Sequence, residues 1–459
     1  MIYNMQMLVI YVLICGLCNG FMLNFRFGNP FNIANMERKT KIDYILPKDQ
    51  EKMVKNISGF YGMIGPNVEI NKVRTLFDLF IGDGIIQGLF FDKGNITFVK
   101  QFIRTEKILY EEKNGRIPIN NIFQYVWYVL LYQIGIFPNV LGLANTAILN
   151  TNNNTYAFYE RDKPYLIDIN KDDQTINTIH KINTKLSTIS GHTKYNRQKD
   201  RLETLEYNVM KQELHHYILN NDFDIKNKFS IQTKYMPIPH DFITSNNKII
   251  TTNSPLLLDR TRIFNSSIPV YFDAEKPTII HTVDIETNVH ESYTYNKGFY
   301  IFHYADVQED ENSIHILAPV YDNIDYSSLN LHGRYRKIII NKHTKEVGIL
   351  HSHILENYNL DFPVKIDDGR IVMRNLDGNR SNGFVVCKDL QVTNTFFYEH
   401  RNICGEPVVI NIEDDPHIIC FAYDNDENSY CLIINVNQNK TTEIELKDEI
   451  TVGFHSVFM

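Results

Sequence analysis

The chain has 459 residues, 43% of them hydrophobic, and this length and composition allow a large buried core. Its 54 acidic and 46 basic residues leave a net charge of −8, so the basic footprint of a nucleic-acid-binding protein is missing. There is no GxxxxGKS/T phosphate loop, no HExxH zinc motif and no pair of zinc-type CxxC motifs. These features exclude the commonest nucleotide and zinc sites, and nothing in the sequence indicates a required protein partner.

The N-terminal segment MLVIYVLICGLC, from Met7 to Cys18, has the length of a signal-peptide hydrophobic region. It is short for a membrane span, and no Lys or Arg precedes it. We predict that residues 1–20 are a signal peptide or an apolar anchor, with a buried segment as the alternative. Because no low-complexity linker follows, residues 21–459 are expected to form a single domain. The expected location is at a membrane, in the secretory pathway if the leader is used and in the cytoplasm otherwise.

From about residue 70 onward, short runs of β-branched and aromatic residues alternate with turn residues, as in GLFFDKGNITFVKQFI and CLIINVNQNKTTEIEL. The units recur roughly every ten residues, which is typical of consecutive hairpins. So many hairpins are most economically closed into a β-propeller, although a stack of two sandwiches is an alternative and no clean blade repeat is visible. Four cysteines are expected in strands: Cys387, Cys404, Cys420 and Cys431.

Two regions break the β pattern. Residues 122–137, IFQYVWYVLLYQIGIF, are apolar on every face and contain the single tryptophan, Trp127. Tyrosines at helical spacing in this segment indicate peripheral membrane contact, with a buried core helix as the alternative. Residues 200–220 are expected to hold a short helix, in which the QELHH run around His215 and His216 forms a solvated polar face.

Four histidines stand in apolar or turn settings. They are His192 in SGHTKYN, His240 in PHDFI, His303 in FHYADVQED and His455 in GFHSVFM. They are too far apart in the chain to form a local metal motif, and each one alone is better explained as a core or surface histidine. The apolar residues around His455 predict that this end of the sequence is buried, and a buried imidazole needs a partner.

These motifs, in this order, resemble those of the carotenoid oxygenase family. This family comprises iron enzymes that include carotenoid and stilbene cleavage dioxygenases and the retinoid isomerase. The resemblance runs from about Gly62 to the end of the sequence and includes FDLFIGDGIIQGLFFDKGN, ANTAILNTNNNTYAFYERDKPYLID and EPVVI. Each motif alone is weak, but all of them in the family's order are hard to produce by chance. The resemblance implies an all-β fold, a seven-bladed β-propeller with a helical or loop cap over an axial iron site.

The resemblance also implies an Fe(2+) cofactor bound by four neutral imidazoles, a donor set that suits this ion. A ligating imidazole donates its other N–H to an acceptor, and in the family glutamates accept from three of the four histidines. Glu160 and Glu406 match two of these glutamates. The matched iron ligands are His192, His240, His303 and His455.

Asp361, in NLDFPVK, stands where the family has the third glutamate. Its side chain is one methylene shorter, so either the backbone moves in or a water bridges the gap; an ordinary surface aspartate is the alternative. Thr146, in ANTA, matches a threonine that lines the open iron positions and is assigned to the catalytic set, with a plain strand threonine as the alternative. His281 and His290 lie outside the matched motifs and are expected to be structural or exposed.

The predicted activity is that of a non-haem Fe(II) dioxygenase. Such an enzyme would use O2 to cleave a double bond of a carotenoid, apocarotenoid or similar apolar polyene into carbonyl products. A retinoid isomerase on the same iron site is less favoured because its membrane-anchoring motif is missing around residues 115–125. Stilbene cleavage is disfavoured because no lysine lies between Lys113 and Lys163. A non-catalytic propeller that binds carotenoid or retinoid is the alternative from a different class.

Overall fold

The structure is a computed structural model that describes most of residues 39–459. Outside the described residues lie 1–38, 69–72, 74–75, 77–78, 80–81, 118–126, 129, 133, 141, 161, 246, 260–269, 327 and 378–379. The predicted leader therefore falls outside the described residues, as do the first five residues of the predicted membrane segment. The described residues form seven antiparallel sheets of four or five strands, which confirms the predicted seven-bladed β-propeller.

Blade 1 contains the first four strands and the last one, and blades 2 to 4 follow in chain order. Blade 1 consists of β1 (Lys39–Tyr44), β2 (Gly59–Pro66), β3 (Gly84–Asp92), β4 (Asn95–Phe102) and β31 (Ser456–Phe458). Blade 2 consists of β5 (Ala147–Asn150), β6 (Thr155–Phe158), β7 (Tyr165–Asn170) and β8 (Thr175–Lys181). Blade 3 consists of β9 (Lys194–Asn196), β10 (Arg201–Asn208), β11 (Glu213–Leu219) and β12 (Ile225–Gln232). Blade 4 consists of β13 (Ile243–Ser245), β14 (Lys248–Asn253), β17 (Thr278–Asp284) and β18 (His290–Tyr295).

Blades 5 to 7 are uninterrupted four-stranded meanders. Blade 5 consists of β19 (Asp306–Glu309), β20 (Ser313–Tyr321), β21 (Gly333–Asn341) and β22 (Val347–Leu350). Blade 6 consists of β23 (Leu360–Lys365), β24 (Ile371–Asp377), β25 (Arg380–Lys388) and β26 (Gln391–Phe397). Blade 7 consists of β27 (Asn402–Ile412), β28 (Asp415–Tyr423), β29 (Ser429–Asn435) and β30 (Lys440–Leu446). The remaining elements are the β15 (Leu256–Leu258) and β16 (Val270–Phe272) hairpin, helices α1 (Lys48–Val54) and α2 (Glu106–Asn114), and a 3-10 turn at Leu355–Asn357.

The first strand of each of blades 2 to 7 lies at the inner edge of its sheet, where it contacts the first strand of a neighbouring blade. Blade 1 is different, because its inner edge is formed by β31, which lies between β27 and β5. β31 pairs with β2, with Tyr61 opposite Phe458 and Met63 opposite Ser456. The last strand of the sequence therefore closes the ring, and the predicted burial of this segment is explained.

Strand burial follows position within the ring. β3 is buried along almost its whole length because it lies in the middle of its blade and has a neighbouring blade on each face. β12 is an outer strand, and it alternates between exposed residues and the buried Phe229 and Ile231. Cysteines were expected in strands, and Cys387, Cys404, Cys420 and Cys431 lie in β25, β27, β28 and β29 as buried free thiols. In the part of the chain that the structure describes, no helix has both the length and the apolarity needed to cross a bilayer.

The helix expected within residues 200–220 is wrong. The segment forms β10 and β11, in which Leu205 pairs with His216. Every second side chain of β11, namely Leu214, His216 and Ile218, is buried, and this face packs against blade 4. Packing between blades therefore prevails over local helix propensity. The expected solvated face is also wrong, because His216 is fully buried, whereas His215 points the other way and contacts Ser230.

Blades 3 and 4 enclose a second group of polar side chains. His281 and His290 lie near enough to His216 to add to the effect of burial in lowering its pKa, and the His281 ring contacts that of His290 through an Nδ1–Nε2 distance of 3.0 Å. Thr251 is the cross-strand partner of His281. Both ring nitrogens of His216, Nε2 of His281 and Oγ1 of Thr251 are buried without a hydrogen-bond partner among the described residues. Burial lowers the pKa of His216 to about 3 and that of His281 to about 4.

We predict that His216→Leu reduces the loss of stability at acid pH. The pKa of His216 falls from 6.5 in the unfolded chain to about 3 in the fold, so the unfolded chain takes up the proton first. The stabilising contribution of neutral His216 is therefore complete above pH 6.5 and is lost as the pH falls towards 3. The free energy of unfolding in urea, measured at pH 7 and pH 4.5, should fall by roughly 2–3 kcal/mol less in the variant than in the wild type.

His400→Leu is the matched control, because the His400 side chain is 72% exposed and its replacement removes an imidazole without touching the polar group between blades 3 and 4. A His216→Leu protein that loses as much stability between the two pH values as the wild type would contradict the prediction. The comparison is between proteins in the same buffers, so the contribution of the other histidines cancels.

Candidate metal centre

Four histidines from four blades converge on the propeller axis. Each lies one to three residues before the innermost strand of its blade, on the approach to β9, β13, β19 or β31. One ring nitrogen of each histidine lies within 4.8 Å of the corresponding nitrogen of every other. The Nε2 atoms of two of them are only 3.0 Å apart. The group comprises His192, His240, His303 and His455, the four residues that the sequence motifs singled out.

Three of these imidazoles contact a carboxylate through Nδ1. The distances are 3.1 Å for His240 and Glu160, 2.8 Å for His303 and Asp361, and 3.1 Å for His455 and Glu406. When Nδ1–H donates to the carboxylate, the proton is held on that nitrogen and the lone pair of Nε2 points towards the centre of the group. The sequence placed all three carboxylates as partners of the histidines, and the structure brings each of them to one.

His192 has no hydrogen-bonded carboxylate among the described residues. The nearest such contact is with Asp241, whose Oδ1 lies 3.9 Å from Nδ1 of His192, which is too long for a hydrogen bond. The Asp241 carboxylate is instead paired with Lys194 at 2.8 Å. The His192 ring packs edge to face against His240 and His455, with centroid distances of 4.5 Å in both cases.

Asp361 reaches His303 directly because the backbone of β23 bulges. The pairing of β23 with β24 shifts register between Asp361 and Val364, and Phe362 adopts a φ of 56° within this bulge. The second carboxylate oxygen of Asp361 accepts a 2.6 Å hydrogen bond from the Tyr321 hydroxyl. Asp361 is only 5% exposed, so the surface-aspartate alternative is wrong and no bridging water is needed. The shift of the main chain compensates for the missing methylene.

Burial and charge act against each other in this group. Burial, with the neighbouring imidazoles, lowers the pKa of His192 well below its usual range, and burial also lowers the pKa of His455 although Glu406 opposes it. At His303, burial lowers the pKa but the Asp361 carboxylate outweighs it, so the pKa is raised. The pKa of Asp361 is lowered, because the His303 partner and its hydrogen bonds outweigh the opposing effect of burial.

The donor set fits a divalent transition metal. All four candidate ligand atoms are imidazole nitrogens, a ligand type that suits iron, copper, nickel and zinc, and not the oxygen-seeking magnesium or calcium. Nε2 of His303 is buried without a hydrogen-bond partner in the described part of the chain, which is costly unless a ligand occupies the centre. The residues present can therefore hold a metal ion between them.

A cavity of about 250 Å³ opens beside the histidines. Most of its wall is apolar and includes leucines from the β2–β3 and β20–β21 connections, so these loops cap the site as expected. Thr146 is 4% exposed and also lines the cavity, together with three of the four histidines. Its hydroxyl donates to Asn145 Oδ1 at 3.3 Å. Thr146 thus stands next to the metal centre, on the approach to β5.

The sequence analysis assigned no role to three further residues at this site, although one of them, Phe362, lies in the quoted NLDFPVK motif. Tyr321 holds Asp361, the Phe362 ring lies 4.8 Å from that of His303, and Arg374 lines the cavity. Arg374 could have been noticed, because it is a charged residue that directly follows the apolar run IVM in a predicted strand; Tyr321 carries no such signal. His281 and His290 contact each other on neighbouring strands of blade 4 and are not part of the group of four converging histidines.

Comparison with known proteins supports this fold. The family model described as retinal pigment epithelial membrane protein matches residues 55–459. The chain therefore belongs to this family, the carotenoid oxygenases. The sequence is 21% identical to carotenoid 9,10(9′,10′)-cleavage dioxygenase 1 of Phaseolus vulgaris, over 88% of this chain and 84% of that protein.

Two solved structures share the fold. The cobalt-substituted oxygenase known as ACO from Synechocystis superposes with a TM-score of 0.72 at 17% identity, covering 93% of this chain and 97% of that one. The lignostilbene dioxygenase of Pseudomonas brassicacearum superposes with a TM-score of 0.72 at 15% identity, covering 93% of this chain and 96% of that one. At these low identities, the structural similarity establishes the propeller fold alone. The substrate and the metal have to be inferred from the residues of the site.

Replacing any one of the four converging histidines with Ala should make metal binding substoichiometric, because each variant opens a ligand position and leaves a void at the axis. Iron content would be measured after anaerobic reconstitution with Fe(II) and removal of unbound metal. His281→Ala is the control, since this histidine lies outside the group. Full iron occupancy in any of the four variants would show that the histidine concerned is not a ligand.

Asp361→Asn should weaken Fe(II) binding by about 10–100-fold, because the amide no longer fixes the proton on Nδ1 of His303 through a charged acceptor. The affinity would be measured by anaerobic calorimetric titration. Asp241→Asn is a matched control, because Asp241 is equally buried beside His192 but makes no hydrogen bond to it. If both variants lose the same affinity, burial of a nearby charge and not the His303 contact accounts for the effect.

Proposed function

We propose that this protein is a non-haem Fe(II) dioxygenase that uses O2 to cleave one carbon–carbon double bond of an apolar, conjugated substrate. One observation carries the proposal: four imidazoles, three of them held by carboxylates, converge beside an apolar cavity. The activities of two relatives support the same reaction class, since the Phaseolus protein is a carotenoid cleavage dioxygenase and the Pseudomonas protein is a lignostilbene dioxygenase.

Each group in the site has a part in this reaction. The four histidines bind the metal, and Glu160, Asp361 and Glu406 keep the Nδ1 proton in place so that Nε2 remains a ligand. When bound, Fe(II) would supply the redox chemistry that activates O2. The leucine-rich cavity wall binds the hydrocarbon and excludes water, and Thr146 limits the space beside the histidines.

The reaction balances without a further reductant. The C=C bond breaks, both oxygen atoms of O2 enter the products, and each alkene carbon becomes a carbonyl carbon. The protein's contribution is to hold one selected double bond next to the metal centre, which is catalysis by positioning. A carotenoid or apocarotenoid is the favoured substrate class, because a long apolar polyene matches the apolar wall of the cavity.

The decisive experiment is incubation of the iron-loaded protein with O2 and a panel of carotenoids, apocarotenals, stilbenes and retinyl esters. The expected result is a pair of carbonyl products from a polyene, with label from 18O2 in both of them. Isomerised retinol without oxygen incorporation would instead identify a retinoid isomerase. Stoichiometric binding of a polyene without conversion would identify a carrier, and Glu406→Gln in the same assay should retain about 1–10% of the wild-type turnover.

We also propose that residues 122–137 contact one leaflet of a membrane, which would bring the protein to substrates dissolved in lipid. In the described part of this segment, Trp127 is 59% exposed, Ile134 is 56% exposed and Ile136 is 68% exposed. Tyr128 stacks on Phe137 with a centroid distance of 4.7 Å, so the segment is anchored by one side while these apolar side chains face outward. The buried-helix alternative does not account for this exposure.

The double variant Trp127→Ser, Ile136→Ser should release the protein from phosphatidylcholine vesicles in a flotation assay without changing its thermal unfolding. Both side chains are exposed, so their loss removes membrane contact and little packing energy. Ile354→Ser is the matched control, because Ile354 is 61% exposed elsewhere on the surface. Retention of the double variant on vesicles would place the docking surface at another part of the molecule.

A further inference from the structure

Arg374 is a buried cation on β24. Its strand pairs with β23, which carries Asp361, and its side chain reaches β27, which carries Glu406. It is 9% exposed and lies on β24, directly opposite Asp361 of β23. Its guanidinium crosses to blade 7, where Nη1 donates to the carbonyl oxygen of Gly405 at 2.9 Å and Nη2 to that of Ile403 at 3.2 Å. The acceptor on Gly405 belongs to the residue immediately before Glu406. One side chain therefore spans from the neighbour of one carboxylate to the neighbour of another.

The same guanidinium supports the strained part of β23. Its Cζ atom lies 4.8 Å from the centroid of the Phe362 ring, a cation–π contact, and Nε donates to Ser381 Oγ at 3.0 Å. Phe362 is the residue whose left-handed backbone lets Asp361 reach His303, and its ring packs on that histidine. Arg374 thus stabilises a bulge that would otherwise relax, because a bulky residue at positive φ persists only where its surroundings enforce it.

The positive charge of Arg374 also links this residue to the carboxylates around the four histidines. Among the described residues it has no carboxylate within ion-pair distance, and all its observed acceptors are neutral oxygens. A buried cation is retained at such a position only if it is compensated by nearby charge. Asp241 is balanced by Lys194, and the three carboxylates that contact the histidines would exceed the charge of a bound divalent ion by one. A single arginine brings the total to zero.

We propose that Arg374 is a positioning residue that fixes the carboxylates of Asp361 and Glu406 relative to each other, and so sets the metal affinity of His303 and His455 together. The proposal rests on the metal centre of the proposed function. Arg374 has no such role toward Glu160, which lies in blade 2 and is not among the partners of the guanidinium in the described part of the chain. This difference among the three carboxylates makes the proposal testable.

The test is a set of double-mutant cycles with anaerobic Fe(II) titration as the readout. Arg374→Lys keeps the charge but cannot reach both carbonyl oxygens, and it should weaken Fe(II) binding about 10-fold. When Arg374→Lys is combined with Asp361→Asn or Glu406→Gln, the fold loss of Fe(II) affinity should be at least about threefold smaller than the product of the two single fold losses. In combination with Glu160→Gln, the losses should multiply to within about twofold, as they do for independent sites.

Losses that multiply with all three carboxylate variants, or an unchanged affinity in Arg374→Lys, would overturn the proposal. A wild-type protein that binds no Fe(II) would overturn the proposed function itself, so the two failures are distinguishable. Arg336→Lys is the structural control, because Arg336 of blade 5 pairs with Asp322 just after β20 and with Glu356 in the 3-10 turn; it should lower the unfolding temperature and leave the affinity unchanged.

Folding of the apoprotein would be checked by thermal unfolding without metal. If Arg374→Lys fails to fold, Ser381→Ala replaces it in the same cycles, because it removes the acceptor of Nε and leaves the guanidinium in place. A smaller loss of affinity with the same pattern of coupling supports the proposal. An unchanged affinity in a folded Ser381→Ala protein contradicts it.

Discussion

Pairing of β31 with β2 is the interaction on which the rest of the site depends. It joins the last strand of the sequence to the first blade, with the main chain of residue 60 bonded to that of Met459 and Ile64 bonded to the main chain around His455. Without this pairing the inner edge of blade 1 would expose its hydrogen-bonding groups, and blades 7 and 2 would have no strand between them. The same pairing places His455 at the axis, so closure of the ring also completes the group of four converging histidines.

The three carboxylates couple the positions of the strands to the orientation of the imidazole rings. Asp361 and Glu406 lie on the innermost strands of blades 6 and 7, and Glu160 lies in the β6–β7 connection of blade 2. Each is placed by its own blade but acts on a histidine from a different part of the sequence, at 2.8–3.1 Å. Rigid packing of the blades is therefore transmitted to the imidazole rings, and ligands are preorganised before any metal arrives.

The sequence predicted the architecture and the histidines well, because both depend on short motifs whose order in the chain survives large changes elsewhere. It failed at 200–220, where the burial of alternate residues of β11 against blade 4 decides the structure and no local pattern reports it. It also could not show how Asp361 replaces a longer acid, because the answer is a bulge with Phe362 at a φ of 56°. Arg374 and Tyr321 were missed since their importance comes from contacts across blades, and a linear motif does not contain such contacts.

The order of the four histidines along the chain has a consequence for how the protein is made. His192, His240 and His303 are synthesised while blades 6 and 7 are still to come, and His455 follows the last strand of blade 7. During synthesis from the N-terminus, the first three imidazoles are therefore present before the ring of blades can close. The growing chain offers a metal ion at most an incomplete set of ligands. Under the proposed function, complete loading of the ion therefore requires a finished fold, since only a closed ring presents all four nitrogens at once.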